Sequence, residues 1–155
     1  MTISYPRAGR PVFDLRPAVT GLRRVQRWED RLAAFVESRR AMPFAWGSND
    51  CCAFCAAAVE AITGTRVLAV DWQPDEASAM AAIDAAGGLV TAITALLGRP
   101  SQNWREARRG DIALAELHDG KRVPMLVMGA YLCGPGWNGL QFLPLGDARL
   151  VWRVG

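Results

Sequence analysis

Four cysteines are the residues in this sequence with the most distinctive chemistry, and three of them fall within five positions. Cys51, Cys52 and Cys55 stand at the start of an alanine-rich segment, and Cys133 follows much later in the chain. On a helix, Cys51 and Cys55 share one face, whereas the adjacent Cys51 and Cys52 point in different directions. The grouping allows three roles, which are packing, metal binding and nucleophilic chemistry.

Packing is the first role, because a free cysteine is a small apolar residue that proteins bury readily. We expect it for Cys52 and Cys55, since a disulfide between neighbours on one helix is geometrically awkward. The second role is a metal or iron–sulfur site that uses Cys51, Cys52, Cys55 and Cys133. The spacing C-C-x-x-C with one distant cysteine matches no standard ligand pattern.

The third role is a nucleophile at Cys51. Ser48, Asn49 and Asp50 are all favourable N-cap residues, so a helix is predicted to begin beside Cys51. A thiol in the first turn of a helix faces the positive end of the helix dipole, which lowers its pKa. The pattern therefore predicts a thiolate at the end of a cleft.

The segments around the cysteines predict four helices followed by short strands. Leu32, Phe35 and Val36 recur at helical spacing, and Gly64 is a favourable helix stop. The predicted helices cover residues 28–40, about thirteen residues between Asp50 and Gly64, then 75–87 and 89–98.

After Arg109 the sequence predicts an antiparallel sheet. His118–Asp119–Gly120–Lys121 carries the D-G signal of a hairpin turn, and Asp111 is expected to anchor the start of the first strand. Helices first and an antiparallel sheet second predict an α+β fold, with the helices packed on one face of the sheet. The predicted strands cover residues 110–117, 122–129, 130–133, 140–145 and 148–154.

The composition is that of one globular domain. The chain has 155 residues, of which 51% are hydrophobic and 21% charged, and these values exclude collagen, coiled coil and wholesale disorder. It has no apolar run long enough for a transmembrane helix, and its first residues lack the apolar core of a signal peptide. We therefore expect the chain to remain in the cytoplasm after synthesis.

The net charge of +3 is distributed unevenly, and 17 of the 18 basic residues are arginines. Residues 1–27 carry a net charge of +5, whereas residues 28–155 carry −2. Prolines and the lack of any helical or strand period predict an extended basic arm over 1–27, attached to a body over 28–155. Without a nucleic-acid-binding motif, this arm is predicted to dock on protein. Its arginines are Arg7, Arg10, Arg16, Arg23, Arg24 and Arg27.

The segment PFAWGSNDCCAFCAAAVEAITG resembles the nucleophile segment of NlpC-type cell-wall peptidases, a papain-like family. The shared features are the pair Trp46–Gly47 and the pair Asp50–Cys51 that opens a helix. Arg109–Gly110–Asp111 is similar to the motif that opens the first sheet strand in that family. The resemblance covers about residues 28–155, and more specifically it is a resemblance to a compact branch encoded in phage and prophage tail gene clusters. It implies a papain-like NlpC-type fold with Cys51 at the position of the nucleophile.

The sequence departs from the family at the general base. In active members a histidine opens the second sheet strand and takes the thiol proton. The equivalent run here is 123–129, which contains no histidine. The single histidine, His118, lies in the predicted turn, about five residues before this run. At the rise of a β-strand, five residues correspond to about 16 Å from the position of the catalytic histidine in the family. Asn138 could mimic the third polar residue of a triad, although its context in CGPGWNG favours a turn.

The resemblance and the missing base together predict a structural component of a bacteriophage or prophage tail tip, built on a degenerate and inactive NlpC-type domain. The first alternative is an active cysteine peptidase or amidase acting on cell-wall peptide bonds, with Cys51 as nucleophile and either His118 or a group from outside the chain as base. The second is the cysteine-ligated metal site. No cofactor is expected. The expected partners are other tail proteins, such as hub or central-fibre chains, in a virion tail assembled in the host cytoplasm, without nucleic acid or a membrane span.

Overall fold

The computed structural model describes residues 3–4, 12–13, 21–68 and 75–155 of the chain. Strands β1 (Ile3–Ser4) and β2 (Val12–Phe13) pair antiparallel. The rest of the predicted arm before Gly21, including its first three arginines, lies outside the described residues. The arm therefore stays a prediction over most of its length. Those three arginines are Arg7, Arg10 and Arg16.

Four helices form where the sequence predicts them. Asp50 and Asp75 begin two of them as N-caps, since each carboxylate accepts a hydrogen bond from a backbone N–H three residues later. Gly64 ends the second helix with a left-handed φ of 73°, which glycine adopts without steric cost. The helices are α1 (Trp28–Arg39), α2 (Cys51–Thr63), α3 (Glu76–Ala85) and α4 (Leu89–Leu97).

Five strands form one antiparallel sheet in the order β6-β5-β4-β3-β7. The β3–β4 hairpin places Ile112 opposite Leu126 and turns at Asp119–Gly120, as the sequence predicts. The fold class α+β is confirmed. The strands are β3 (Ile112–Glu116), β4 (Arg122–Met128), β5 (Tyr131–Gly136), β6 (Gly139–Pro144) and β7 (Ala148–Trp152).

The main core lies between the sheet and helices α1, α2 and α4. Phe54 and Ile62 of α2 pack there with Leu126 and Trp152 of the sheet, all fully buried. The opposite face of the sheet is covered by a shorter layer that includes Trp104. In the described part of the chain, no single helix is long and apolar enough to cross a membrane. Helices α3 and α4 reach that length only as a pair, and they bend by 68° at the break between them.

Residues 21–27 pack on the body, although the sequence predicts them to belong to the arm. The N–H of Val25 donates to the carbonyl of Ile62 at 2.9 Å, and Leu22 packs against the main core. The side chain of Arg24 is largely enclosed. The described body therefore begins near Gly21 rather than at Trp28.

Candidate functional site

A cleft of about 470 Å³ opens at the N-terminus of α2, and Cys51 lines it. Phe44 and Trp46 line it on the loop before α2, and Pro124 of β4 lines it on the sheet. Helices α3 and α4 form the remaining side with apolar residues that include Met80 and Val90. The cleft is therefore mainly apolar, with the thiol at the end of a helix.

The loop that precedes Cys51 is held by two polar side chains. Asp50 accepts hydrogen bonds at 2.9 Å from the N–H groups of Gly47 and Ala53, so its predicted capping role is confirmed. The buried Asn49 donates to the carbonyls of residues 42 and 43, and its Oδ1 accepts from Arg39 Nη1 at 2.7 Å. These bonds fix the entry into α2 and thereby the position of Cys51.

The pKa of the Cys51 thiol is raised to about 11, not lowered as the sequence predicted. Burial is the largest cause, because removing the sulfur from water disfavours the thiolate. The negative charge of the neighbouring Asp50 raises the pKa further. The helix dipole, on which the prediction depended, favours the thiolate, but desolvation and the charge of the N-cap outweigh it. Cys51 is therefore a protonated thiol at neutral pH.

Of the other cysteines, two pack in the interior and Cys52 is half-buried beside Cys51 in the cleft. Cys55 and Cys133 lie buried in the main core, and Cys52 packs against a smaller cluster that includes Leu68 and Ala82. Burial raises the pKa of Cys133 to about 12. Within the described residues, which include all four cysteines, no three His, Cys, Asp or Glu side chains are grouped so that they could hold a metal ion. Packing is thus the role that the structure supports for Cys52, Cys55 and Cys133.

His118 and Cys51 line different cavities. His118 occupies the β3–β4 turn and lines a separate groove with Gln141, Asp147 and Arg149. None of the residues of that groove also lines the cleft that contains Cys51. The structure therefore places Cys51 and His118 in different cavities, and their pairing as nucleophile and base stays a prediction.

Asn138 is an exposed residue of the β5–β6 turn, as its glycine-rich context predicts. Its neighbour Trp137 is 85% exposed, and the Phe44 ring lies 6.1 Å from Trp137 and 4.9 Å from Trp46. These three rings form an aromatic rim, which we define as Phe44, Trp46 and Trp137. By contrast, Trp152 is fully buried and belongs to the core.

A buried polar cluster at the start of β3 is the feature that sequence reasoning missed. Asp111 Oδ1 accepts from Arg24 Nη2 at 3.0 Å and from the N–H of Val154 at 3.1 Å. Arg24 also donates to the carbonyls of Arg109 at 2.6 Å and Val154 at 2.8 Å. The Gly110–Asp111 pair indicated that the aspartate anchors the start of the first strand. No local pattern indicated that its partner is an arginine of the predicted arm.

Arg23 and Arg27, the other two described arginines of the predicted arm, are exposed. Arg27 forms an ion pair with Asp30 at 2.8 Å, one turn into α1. Arg23 has no carboxylate within ion-pair distance among the described residues. Of these three arginines, then, Arg24 is enclosed by the body and Arg23 remains available to a partner.

Comparison with known proteins gives a family without a described activity. No curated protein matches the chain. A family model described as a domain of unknown function, DUF6950, matches residues 23–154. The match covers most of the chain and begins within residues 21–27, the segment that packs on the body. The resemblance to NlpC-type peptidases stays a prediction, since this description names no activity. The chain belongs to the DUF6950 family.

Proposed function

We propose that this chain is a structural component of a bacteriophage or prophage tail tip, built on an NlpC-type papain-like domain that has no catalytic activity. One observation carries the non-catalytic part of the proposal. The cleft around Cys51 contains no imidazole, because the only histidine of the chain lies in another groove.

The arrangement of elements supports the papain-like part. Cys51 is the first residue of a helix that packs on an antiparallel sheet, and Asp50 caps that helix. Gly110–Asp111 directly precedes β3, the first strand of that sheet in the chain. This order of helix, cysteine and sheet is the one that the resemblance implies.

The chemistry of the cleft supports the absence of turnover. A cysteine nucleophile needs a base that removes its proton or an environment that favours the thiolate. Here Pro124 lines the cleft on β4, and a proline side chain cannot accept a proton. With a pKa of about 11, only about one thiol in ten thousand is ionised at neutral pH.

A structural role agrees with what the surface offers. Trp46 and Trp137 are both exposed, and each lies next to Phe44. Aromatic residues are enriched where proteins contact one another. The assignment to a tail tip depends on the resemblance to the compact phage branch. Hub or central-fibre chains are the partners that this assignment implies.

A peptidase assay tests the non-catalytic part. Purified cell-wall peptides are incubated with the wild-type chain and with Cys51→Ala, and new amino groups are counted. We expect the two to be indistinguishable from buffer alone. Release by the wild type that disappears in Cys51→Ala would overturn the proposal in favour of the alternative, an active cysteine peptidase or amidase. Release by both proteins would indicate a contaminating enzyme, so the assay includes a mock purification.

The composition of native particles tests the structural part. Phage or prophage particles from the strain that encodes the chain are purified, and their proteins are identified by mass spectrometry. We expect the chain at a constant ratio to the tail proteins across successive purification steps. Its absence from intact particles would overturn the tail-tip assignment while leaving the conclusion about Cys51 unchanged.

A further inference from the structure

Four exposed arginines surround the place where Arg24 meets Asp111. Arg108 and Arg109 come directly before that aspartate, Arg153 directly before Val154, and Arg23 directly before Arg24. We define the basic face as Arg23, Arg108, Arg109 and Arg153.

The backbone under the basic face is held in place by buried hydrogen bonds. Asp111 Oδ2 accepts from the N–H of Arg108 at 2.8 Å, and the carbonyl of Arg109 accepts from Arg24. Val154 both donates to Asp111 and accepts from Arg24. Four arginines from three distant parts of the chain are thus presented on one fixed support, so binding there need not first order the backbone.

The charges of the basic face are not neutralised within the described structure. None of its four guanidinium groups has a carboxylate within ion-pair distance among the described residues. Arg108 donates instead to the carbonyl of Gly155 at 3.4 Å. The nearby carboxylate of Asp111 is buried and already binds Arg24. The negative charge of Glu29 likewise interacts electrostatically with Arg24. An exposed cluster of like charges without internal partners suits an anionic ligand.

We propose that the basic face binds a carboxylate-rich segment of a partner protein. Guanidinium groups pair with carboxylates through two parallel hydrogen bonds, and arginine is enriched at protein interfaces where lysine is depleted. Two tryptophans close to these arginines in the sequence are already covered, since the guanidinium of Arg24 lies 4.1 Å from the Trp28 ring and that of Arg105 lies 4.5 Å from the Trp104 ring. Their covered faces are not open for the base stacking that single-stranded nucleic acid uses. The proposal does not depend on Cys51 or on the tail-tip assignment.

The test uses fluorescence anisotropy to measure how tightly a short fluorescein-labelled polyglutamate peptide binds to the full chain. The variant Arg108→Gln/Arg109→Gln/Arg153→Gln removes three charges of the basic face without touching Arg24 or Asp111. We expect its Kd to rise by about tenfold or more, since each lost pair contributes about 0.5 kcal/mol or more. We also expect the wild-type affinity to fall as NaCl rises from about 50 mM to about 300 mM.

A matched control separates the basic face from net charge. Arg40→Gln/Lys121→Gln/Arg149→Gln removes three charges elsewhere on the surface, and we expect it to bind the peptide nearly as the wild type does. Thermal unfolding shows whether both triple variants fold. Equal weakening in both variants would overturn the proposal. It would also be overturned if single- or double-stranded DNA of matched charge bound more tightly than the peptide in a way that depended on the same arginines.

Discussion

The guanidinium of Arg24 lies 3.0 Å from the carboxylate of Asp111, although 87 positions separate the two residues in the chain. The side chains are only 11% and 2% exposed. All donors that reach the carboxylate oxygens come from separate segments, namely Arg24, the N–H of Arg108 and the N–H of Val154. One carboxylate thereby joins the start of the body, the first strand of the sheet and the residues after the last strand.

Replacing Asp111 by alanine should destabilise the chain strongly. It leaves a largely enclosed guanidinium and two backbone N–H groups without their acceptor, and losing one partner of a buried pair costs about 3 kcal/mol or more. Urea unfolding followed by circular dichroism measures the change. Asp30→Ala, which removes the exposed partner of Arg27 from the first turn of α1, should cost less than about 1 kcal/mol. Equal effects of the two substitutions would contradict the role assigned to Asp111.

Alkylation of Cys51 should be slow near neutral pH. Because its pKa is raised to about 11, the thiolate fraction and the rate with iodoacetamide should rise about tenfold per pH unit from about pH 8 to pH 10. Mass spectrometry of the intact chain in a Cys52→Ala background measures the modification. Glutathione in the same tube gives the rate of an ordinary thiol, and a Cys51 rate equal to it at neutral pH would refute the prediction.

Asp50→Asn should accelerate that alkylation. The asparagine oxygen can still accept from the N–H of Ala53 and cap the helix, while the negative charge that raises the Cys51 pKa is removed. Its amide nitrogen cannot accept from the N–H of Gly47. The rate should increase at every pH below the pKa, and the midpoint of thermal unfolding should fall. A rate that did not change would show that burial alone sets the pKa of this thiol.

Stability should decline in alkaline solution through the buried thiols. A cysteine in the unfolded chain ionises with its ordinary pKa, about 9.0, whereas folded Cys51 stays protonated until about pH 11. The contribution of Cys51 to the free energy of unfolding is fully present below about pH 9. It is lost as the pH rises from about 9 to about 11, by up to about 1.4 kcal/mol per pH unit. Cys51→Ser should therefore make the fall of the unfolding free energy between about pH 9 and 11 shallower. Parallel curves for the two proteins would argue against the raised pKa.

Gly139→Ala should displace the β5–β6 hairpin from the loop after α1. A Cβ at Gly139 would lie only 2.3 Å from the carbonyl oxygen of Arg40, at a φ of 118° that alanine rarely adopts. We expect a loss of about 2 kcal/mol or more in urea unfolding. Gly129→Ala is the matched control, because its φ is also positive at 67° but nothing lies within 4 Å of the added carbon. It should cost about 1 kcal/mol, and a similar loss in both variants would show that backbone strain alone is responsible.

Local patterns predicted the elements well because the signals that define them lie within a few residues. The N-cap at Asp50, the stop at Gly64 and the turn at Asp119–Gly120 all depend on the backbone next to them. The order of the elements, helices first and strands second, then predicted that the helices pack on one face of the sheet. The absence of His118 from the cleft of Cys51 was also expected, because this histidine lies about five residues before the run in which the resemblance places the catalytic histidine.

The environment of the side chains was not predictable in the same way. The pKa of Cys51 depends on how completely α3, α4 and the sheet remove its sulfur from water, and these elements come much later in the chain. Arg24 stood in a run of arginines and prolines that resembles an exposed arm. Its burial requires Asp111 and Val154, and no property of the residues around it indicates those partners.

The bonds that Arg24 makes with Val154 also bear on when the chain can finish folding. Arg24 is synthesised early, but one of its acceptors follows 130 positions later. On the ribosome, helices α1 and α2 emerge long before this acceptor does, so Arg24 cannot complete its bonds until residue 154 has left the exit tunnel. A nascent chain stalled before residue 154 should therefore leave Arg24 without this acceptor and expose its N-terminal segment to proteases more than the full fold does.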